Sequence, residues 1–377
     1  MNITERIEKL RRCMKKKGMS AILVFNPDHQ FYLTGFKALI YSRPIIYYMD
    51  FEQTAMIVPA LEETHAKEKA NVEQVFVYYE HPTVQTLETN PAEMMKELLA
   101  KLPENVSIGS DLSFIPGATL QFIQQLGFTV KDIGQDIYEM RYIKDSDEMD
   151  LLEKAGHLVN LAVSKSLSVI REGITEMEID AAGNAALFEA TATKYPDATI
   201  DITFMSPSGM ERSIMPHVFS NTRKIQSGDV IIHTRQVGLN GYRAELERTV
   251  IVGRPTDIQK KAFKSAIEAQ QRALEFIKPG VKLSDVDKVA RAVFEREGFE
   301  RYAIHRTGHG LGVSAHEEPF LRYDHHDIVQ EGMVFSIEPG IYIPGVGGFR
   351  HSDTVLITAD GCRLLTEYPR SLNSLLL

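Results

Sequence analysis

RYIKDSDEMDLLEKAGHLVNL, residues 141–161, is where the chain changes character. Asp145 with Glu148 three positions on is the signature of a capped helix start, because each side chain can take up a backbone N–H of the other residue. Leu151, Leu152, Ala155, Leu158 and Leu161 follow at helical spacing, so the stretch predicts a long amphipathic helix. Upstream, short runs alternate. Residues 21–25, 45–49, 55–58 and 107–111 read as strands, and 91–102 and 117–126 as helices. At the head, Ile7, Leu10 and Met14 share one stripe and Gly18 supplies a stop, which predicts a first amphipathic helix. Downstream, Thr175 with Glu178 and Ser284 with Asp287 predict two more capped helices, separated by β-rich runs that end at Val250 and Val252. The change of pattern sets a domain boundary near residue 140. The expected fold is α/β (α+β), with a small mixed domain over 1–140 and a larger one over 141–377.

Composition agrees with two soluble domains. The 377 residues carry 42 Lys+Arg against 51 Asp+Glu, a net charge of −9, and 44% are hydrophobic. No basic run exceeds Lys15-Lys16-Lys17, so nucleic acid is not an expected partner. The longest apolar stretches, such as Ile22 to Phe25 and Val230 to Ile232, are strand-sized, far short of the roughly 20 residues of a membrane helix. No charged leader precedes an apolar run. Cys13 and Cys362 lie near opposite ends and offer neither a disulfide framework nor a thiolate metal site, so a cytoplasmic, reducing location is expected.

Chemistry concentrates in the C-terminal third. GHGLGVSAHEEP at 308–319, SIEPGIYIPGVGGF at 336–349 and RHSDTVLIT at 350–358 are dense in Gly, His and Glu. Four polar clusters are flanked by strand-like residues: His217, the pair Glu245 and Glu247, the pair His309 and His316, and Glu338. In a strand, 245 and 247 point to one face about 7 Å apart. Two like charges so placed want a cation between them, unless they form a solvated face paired to Arg243 and Arg248. Gly308, Gly310 and Gly312 around His309 suit a close backbone approach. Buried carboxylates and imidazoles without partners are costly, so the four clusters together predict one site.

The order of motifs resembles a known family. NPDHQFYLTGF at 26–36, RYIK at 141–144, SGDVIIH at 227–233, GYRAELERT at 241–249, TGHGLGVSAHEEP at 307–319, SIEPGIY at 336–342 and GGFRHSDTVLIT at 347–358 follow one another as in the pita-bread family. That family contains Xaa-Pro aminopeptidases, prolidases, methionine aminopeptidases and creatinase. The resemblance implies a creatinase/prolidase-type N-terminal domain followed by a pita-bread catalytic domain. It also implies a metal question. The peptidases hold two divalent metals on two Asp, one His and two Glu, and these positions fall here on Thr234, Glu245, His309, Glu338 and Ser352. Neither Thr234 nor Ser352 carries a charge to hold two cations together. No cofactor is therefore expected. The alternative is one divalent ion, Mn, Zn or Fe, on Glu245, His309 and Glu338.

The losses follow the pattern of creatinase, the member that works without metal. Glu247 and Glu338 match carboxylates that grip a guanidinium, and His217, with Arg223 downstream, matches the proton shuttle. His217, Glu247 and Glu338 are thus the expected catalytic residues. Glu245, His309, His316, Tyr41, Arg43 and Arg322 are the expected substrate contacts. Tyr41-Ser42-Arg43 resembles the segment that reaches into the partner subunit's site, which implies a homodimer with shared sites. Against creatinase, Glu245 replaces a small apolar residue, Ser352 replaces a His, and SAHEEP is closer to the peptidases. The function implied is a metal-independent hydrolase of a C–N bond in a small guanidino or amidine carboxylate, creatine first among them. The alternatives are a metal-dependent Xaa-Pro dipeptidase or aminopeptidase, and a non-enzymatic binding module.

Overall fold

The computed structural model describes every residue except Met1, Ile40, Tyr41, Pro82, Gln85 and Thr86. The chain divides into two compact units, Met1–Arg141 and Tyr142–Leu377.

In the first unit, α1 (Ile3–Lys17) is capped by the Asn2 side chain and ends on Gly18 in the left-handed region at φ 62°, where a Cβ would be strained. Its buried stripe is Ile7, Leu10 and Met14, as the spacing predicts. There follow β1 (Met19–Val24), α2 (Pro27–Thr34), β2 (Ile46–Asp50), β3 (Thr54–Pro59) and α3 (Glu63–Lys69). After these come β4 (Gln74–Tyr78), α4 (Pro91–Leu99), β5 (Ser107–Ser110), α5 (Gly117–Gln125), β6 (Thr129–Asp132) and α6 (Gly134–Tyr142). The six strands form one sheet in the order β4-β3-β2-β1-β5-β6. Strand alternation splits the core, with Ile22 and Val24 packing on one side of the sheet and Ala21 and Leu23 on the other.

The second unit opens with α7 (Ser146–Ser168) and α8 (Glu176–Lys194). Both begin in capping boxes, Asp145 with Glu148 and Thr175 with Glu178, as the sequence predicts. Then come β7 (Ile200–Met205), α9 (Gly209–Arg212), β8 (Val230–Leu239), β9 (Tyr242–Ile251), α10 (Asp257–Phe276) and α11 (Leu283–Arg296). The last strands are β10 (Gly308–Gly310), β11 (Glu317–Leu321), β12 (Val334–Ile337), β13 (Gly340–Ile343), β14 (Gly347–Arg350), β15 (Ser352–Ile357) and β16 (Cys362–Leu364). Eight strands form one sheet, with β11-β10-β12-β15-β9-β8-β7 in line and β16 on β15; β13 and β14 make a separate hairpin. Ser284 does not cap α11, which starts one residue earlier. Asp287 instead accepts from the Thr307 amide at 2.9 Å and from Arg291 Nε at 2.7 Å, so it anchors the segment leading to His309.

β8 and β9 are joined by Asn240-Gly241, both at positive φ (47° and 92°), the two-residue turn whose twist matches a hairpin. That turn sets the register Thr234–Glu247 and Gln236–Glu245, while β15 places Ser352 opposite Glu247. Behind this face, Arg248 ties the strands together. Its Nη2 lies 2.9 Å from Asp353 Oδ1, both side chains being 0% exposed. Its other donors reach the carbonyls of Glu247, Ser352, Tyr368 and Pro369. Cys13 and Cys362 are free thiols, and among the described residues no helix is long and apolar enough to cross a membrane.

Removing one partner of a buried ion pair leaves the other charge bare, at a cost of about 3–5 kcal/mol. Asp353 keeps Arg370 at 2.9 Å, with Gln270 and Thr366, so Arg248→Met should lower the stability of the second unit by less, about 1–3 kcal/mol, read from the urea midpoint. Arg272→Met, on an exposed face of α10, should stay within about 0.5 kcal/mol of wild type.

Candidate active site

The sheet register gathers the predicted residues onto one face. Alternation along β9 turns Glu245 and Glu247 the same way, and β8 adds Thr234 and Gln236 opposite them. β10 contributes His309, β12 contributes Ser336, Glu338 follows directly after β12, and Arg350 and Ser352 flank the step from β14 to β15. Glu245 and Glu247 are only 2% and 1% exposed, so the solvated-face reading fails. Arg243 pairs with Asp201 and Arg248 with Asp353 instead.

Of Glu245, Glu247 and Glu338, Glu245 accepts from the most protein donors. Ser336 Oγ donates to its Oε1 at 2.6 Å, Ser352 Oγ to the same oxygen at 2.8 Å, and Gln236 Nε2 donates to Oε2. Burial opposes its charge, but these three donors hold its carboxyl below the usual carboxylate range. His309 is fully buried. Its Nδ1 lies 2.9 Å from the Gly310 carbonyl, which can only accept, so the proton sits on Nδ1. Nε2 is left with a free lone pair and no hydrogen-bond partner, 3.4 Å from Glu338 Oε1 and 3.9 Å from Glu245 Oε2. Burial lowers the His309 pKa, which keeps the ring neutral.

Glu247 and Glu338 face a cation that sequence reasoning did not single out. Arg350, 3% exposed, donates from Nη2 to Glu247 Oε1 at 2.5 Å, and its Nε lies 2.5 Å from Glu247 Oε2 and 3.7 Å from Glu338 Oε2. Nη2 also reaches Thr234 Oγ1 at 3.2 Å, and Nη1 reaches Tyr342 Oη at 3.2 Å. Tyr342 Oη lies 2.8 Å from His305 Nε2, whose Nδ1 faces the Arg306 carbonyl at 2.7 Å. A chain of hydrogen bonds thus backs the guanidinium. Burial and neighbouring carboxylates push Glu247 and Glu338 each up to about 8 against the pull of Arg350.

Two adjoining cavities open onto this cluster. One, of about 250 Å³, is lined by His217, Thr234, Gln236, Glu245, Glu247 and His316, among others. The second, of about 350 Å³, is lined by Ile304, His305, Arg306 and Tyr342, and the two share His217, His316, Glu338 and Arg350. Larger cavities lie elsewhere, one of about 510 Å³ between α10 and β16, but none of those gathers convergent imidazoles and carboxylates. His316 stacks at 4.1 Å on the His309 ring, and its Nδ1 lies 3.3 Å from Arg306. Arg306 itself stacks on Phe320 at 4.4 Å. Burial lowers the pKa of both wall histidines, His217 and His316, the latter to about 4.

Other expected contacts fall elsewhere. Arg322 is exposed, paired with Asp324, and lines neither cavity. Arg223 pairs with Asp229 at 2.5 Å. Arg43 belongs to the first unit, 2.8 Å from Glu80, and Tyr41 lies outside the described residues. Arg350, Arg306, Gln236 and Ser336 were missed by sequence reasoning. For Arg350 a signal existed, since alternation puts residues 350 and 352 on one side once Ser352 is placed in the site.

Residues 150–359 match metallopeptidase family M24, and residues 6–143 match the creatinase/prolidase N-terminal domain. The chain belongs to family M24. The Xaa-Pro dipeptidase of Pyrococcus furiosus is 32% identical over 369 residues, 98% of this chain and 99% of that protein. The prolidase of Pyrococcus horikoshii OT3 superposes with a TM-score of 0.85 at 30% identity, over 98% of this chain and 99% of that one. The X-Pro aminopeptidase of Thermotoga maritima superposes at 0.84 with 25% identity, over 99% of both chains.

Two expectations are corrected by these findings. Creatinase-type hydrolysis is overturned, because the M24 relatives are Xaa-Pro dipeptidases and prolidases. The physical reason is Arg350: the carboxylates assigned to a substrate guanidinium already hold one from the chain itself. The expectation of no cofactor is overturned as well. Ligand atoms of Glu245, His309 and His316, and of Glu245, Glu247 and Glu338, lie within 4.8 Å of one another. The donor set fits one cation, because the His309 Nε2 lone pair is fixed by the Gly310 carbonyl and aimed at two carboxylates. It does not fit two. Thr234 and Ser352 are neutral, and Arg350 stands where a second ion would need Glu247.

His309 is held in place by glycines. A Cβ on Gly308 would come within 2.1 Å of the Ser336 carbonyl, and one on Gly310 within 2.5 Å of the Glu318 carbonyl. Gly308→Ala should cost about 1–3 kcal/mol, the scale of overpacking, measured by thermal or urea unfolding. Gly117→Ala, where a Cβ meets nothing within 4 Å, should be close to neutral.

Proposed function

We propose that the protein is a metal-assisted dipeptidase acting on small Xaa-Pro substrates. The observation that carries this reading is His309, whose unpartnered, buried Nε2 lies 3.4 Å from Glu338 and 3.9 Å from Glu245, donor types that a divalent cation takes. The relatives named Xaa-Pro dipeptidase and prolidase support the same substrate class. A divalent cation on Glu245, His309 and Glu338 would polarise the scissile carbonyl and acidify a water.

The chain's own residues supply the rest. His217 and His316 stand on the cavity wall as neutral imidazoles, each with one N–H donor and one acceptor nitrogen. One such group can hold the carbonyl oxygen while another delivers a proton to the leaving proline nitrogen, which has no N–H in the peptide and must gain one. Arg306, braced on Phe320 beside His316, presents a cation to the adjoining cavity, suited to the free carboxylate of the C-terminal proline. Cavities of about 250 and 350 Å³ favour a dipeptide over a longer chain.

The test is hydrolysis of a Xaa-Pro dipeptide by Mn²⁺-loaded protein, before and after chelation. Chelation should remove activity at least about a hundredfold, and added Mn²⁺ should restore it; activity indifferent to chelation would defeat the reading. His217→Ala should lower kcat by about two to four orders of magnitude with KM nearly unchanged. Arg306→Met should raise KM for the free dipeptide by about ten- to a hundredfold and leave the C-terminal amide unaffected. Equal effects on acid and amide would remove Arg306 from carboxylate recognition.

A further inference from the structure

We propose that this site takes one divalent cation and not two, and that the Arg350 guanidinium permanently supplies the positive charge that a second metal would bring. The inference rests on the reading of Glu245, His309 and Glu338 as a cation site but not on any particular substrate.

Three buried carboxylates meet here: Glu245, Glu247 and Glu338 are 2%, 1% and 7% exposed. Once a bound cation has displaced the protons that burial favours on Glu247 and Glu338, the three carry three negative charges, which one guanidinium and one dication match. A second dication would leave a surplus of two positive charges among side chains at most 7% exposed, which is unfavourable. The geometry assigns each half of the site to its own cation. Glu247 has both oxygens 2.5 Å from Arg350 nitrogens, and Thr234 Oγ1 accepts from the same Nη2. Ser352, at the other neutral position, is bonded to Ser336 Oγ at 2.6 Å and Glu245 Oε1 at 2.8 Å, so its hydroxyl is consumed inside the protein. What remains unconsumed is on the other side: His309 Nε2, fully buried and without a partner, between Glu338 and Glu245.

Arg350 is no mobile surface charge. Tyr342 accepts from its Nη1, and the His305 ring in turn fixes Tyr342. The guanidinium is thus held on three sides by protein groups and cannot swing out to admit a second ion without leaving Glu247 bare in the interior.

The test is metal stoichiometry, read by elemental analysis of apo-protein dialysed to equilibrium against Mn²⁺, independently of turnover. Wild type should bind about one equivalent. Two equivalents would overturn this inference while leaving the dipeptidase reading intact, and none would defeat the cation site on which both rest. Arg350→Met removes the fixed charge and should tighten Mn²⁺ binding at least about tenfold, because the dication no longer sits beside a guanidinium. Arg350→Lys keeps the charge and should keep the wild-type affinity. Should the Met variant fail to fold, the wild-type stoichiometry and the Lys variant decide; equal affinities for Met, Lys and wild type would overturn the substitution of charge.

Discussion

Three carboxylates gathered by adjoining strands, none more than 7% exposed, impose the constraint that the rest of the second unit serves. Each needs compensation from inside the protein, and each receives a different kind. Glu245 is supported by hydroxyl and amide donors from β8, β12 and β15. Glu247 is held by a guanidinium. Glu338 has the least, with its nearest cationic or imidazole neighbours at 3.4 and 3.7 Å, which makes it the carboxylate with most to gain from an ion. The Asn240-Gly241 turn and the buried Arg248–Asp353 pair keep the strands in the one register that lets these compensations meet. A slip of one residue would turn every one of these side chains to the other face.

How far the sequence spoke depended on whether the signal was local. Asp145 and Thr175 announced their helices because a capping box is complete within four residues. The glycines around His309 announced a tight approach, and the structure supplies the carbonyls they approach. Ser284 and Asp287 have capping-box spacing but not the role, because Asp287 finds a stronger use at Thr307, twenty residues away. Arg306 and Arg322 show the same limit. Both lie near the His309 motif, and only folding decides that one faces the cavity while the other pairs with Asp324 in solvent.

The misreading of function has a single physical origin. The sequence reads Glu247 and Glu338 as a grip on a substrate guanidinium, whereas the planar cation beside them belongs to Arg350, a residue of the chain. A side chain 103 positions from Glu247 fills the geometry, a partnership that only the folded chain brings about.

Arg350 and Glu338 lie twelve residues apart, on either side of the β13–β14 hairpin, whereas Arg350 and Glu247 are separated by 103 positions. Hairpins close in microseconds and distant strands pair later. The guanidinium and Glu338 are thus brought together by a local turn, whereas Glu247 reaches the same guanidinium only through long-range strand pairing. A chain built this way encodes a counter-ion for its buried acids in its own sequence, at a place a single codon can alter.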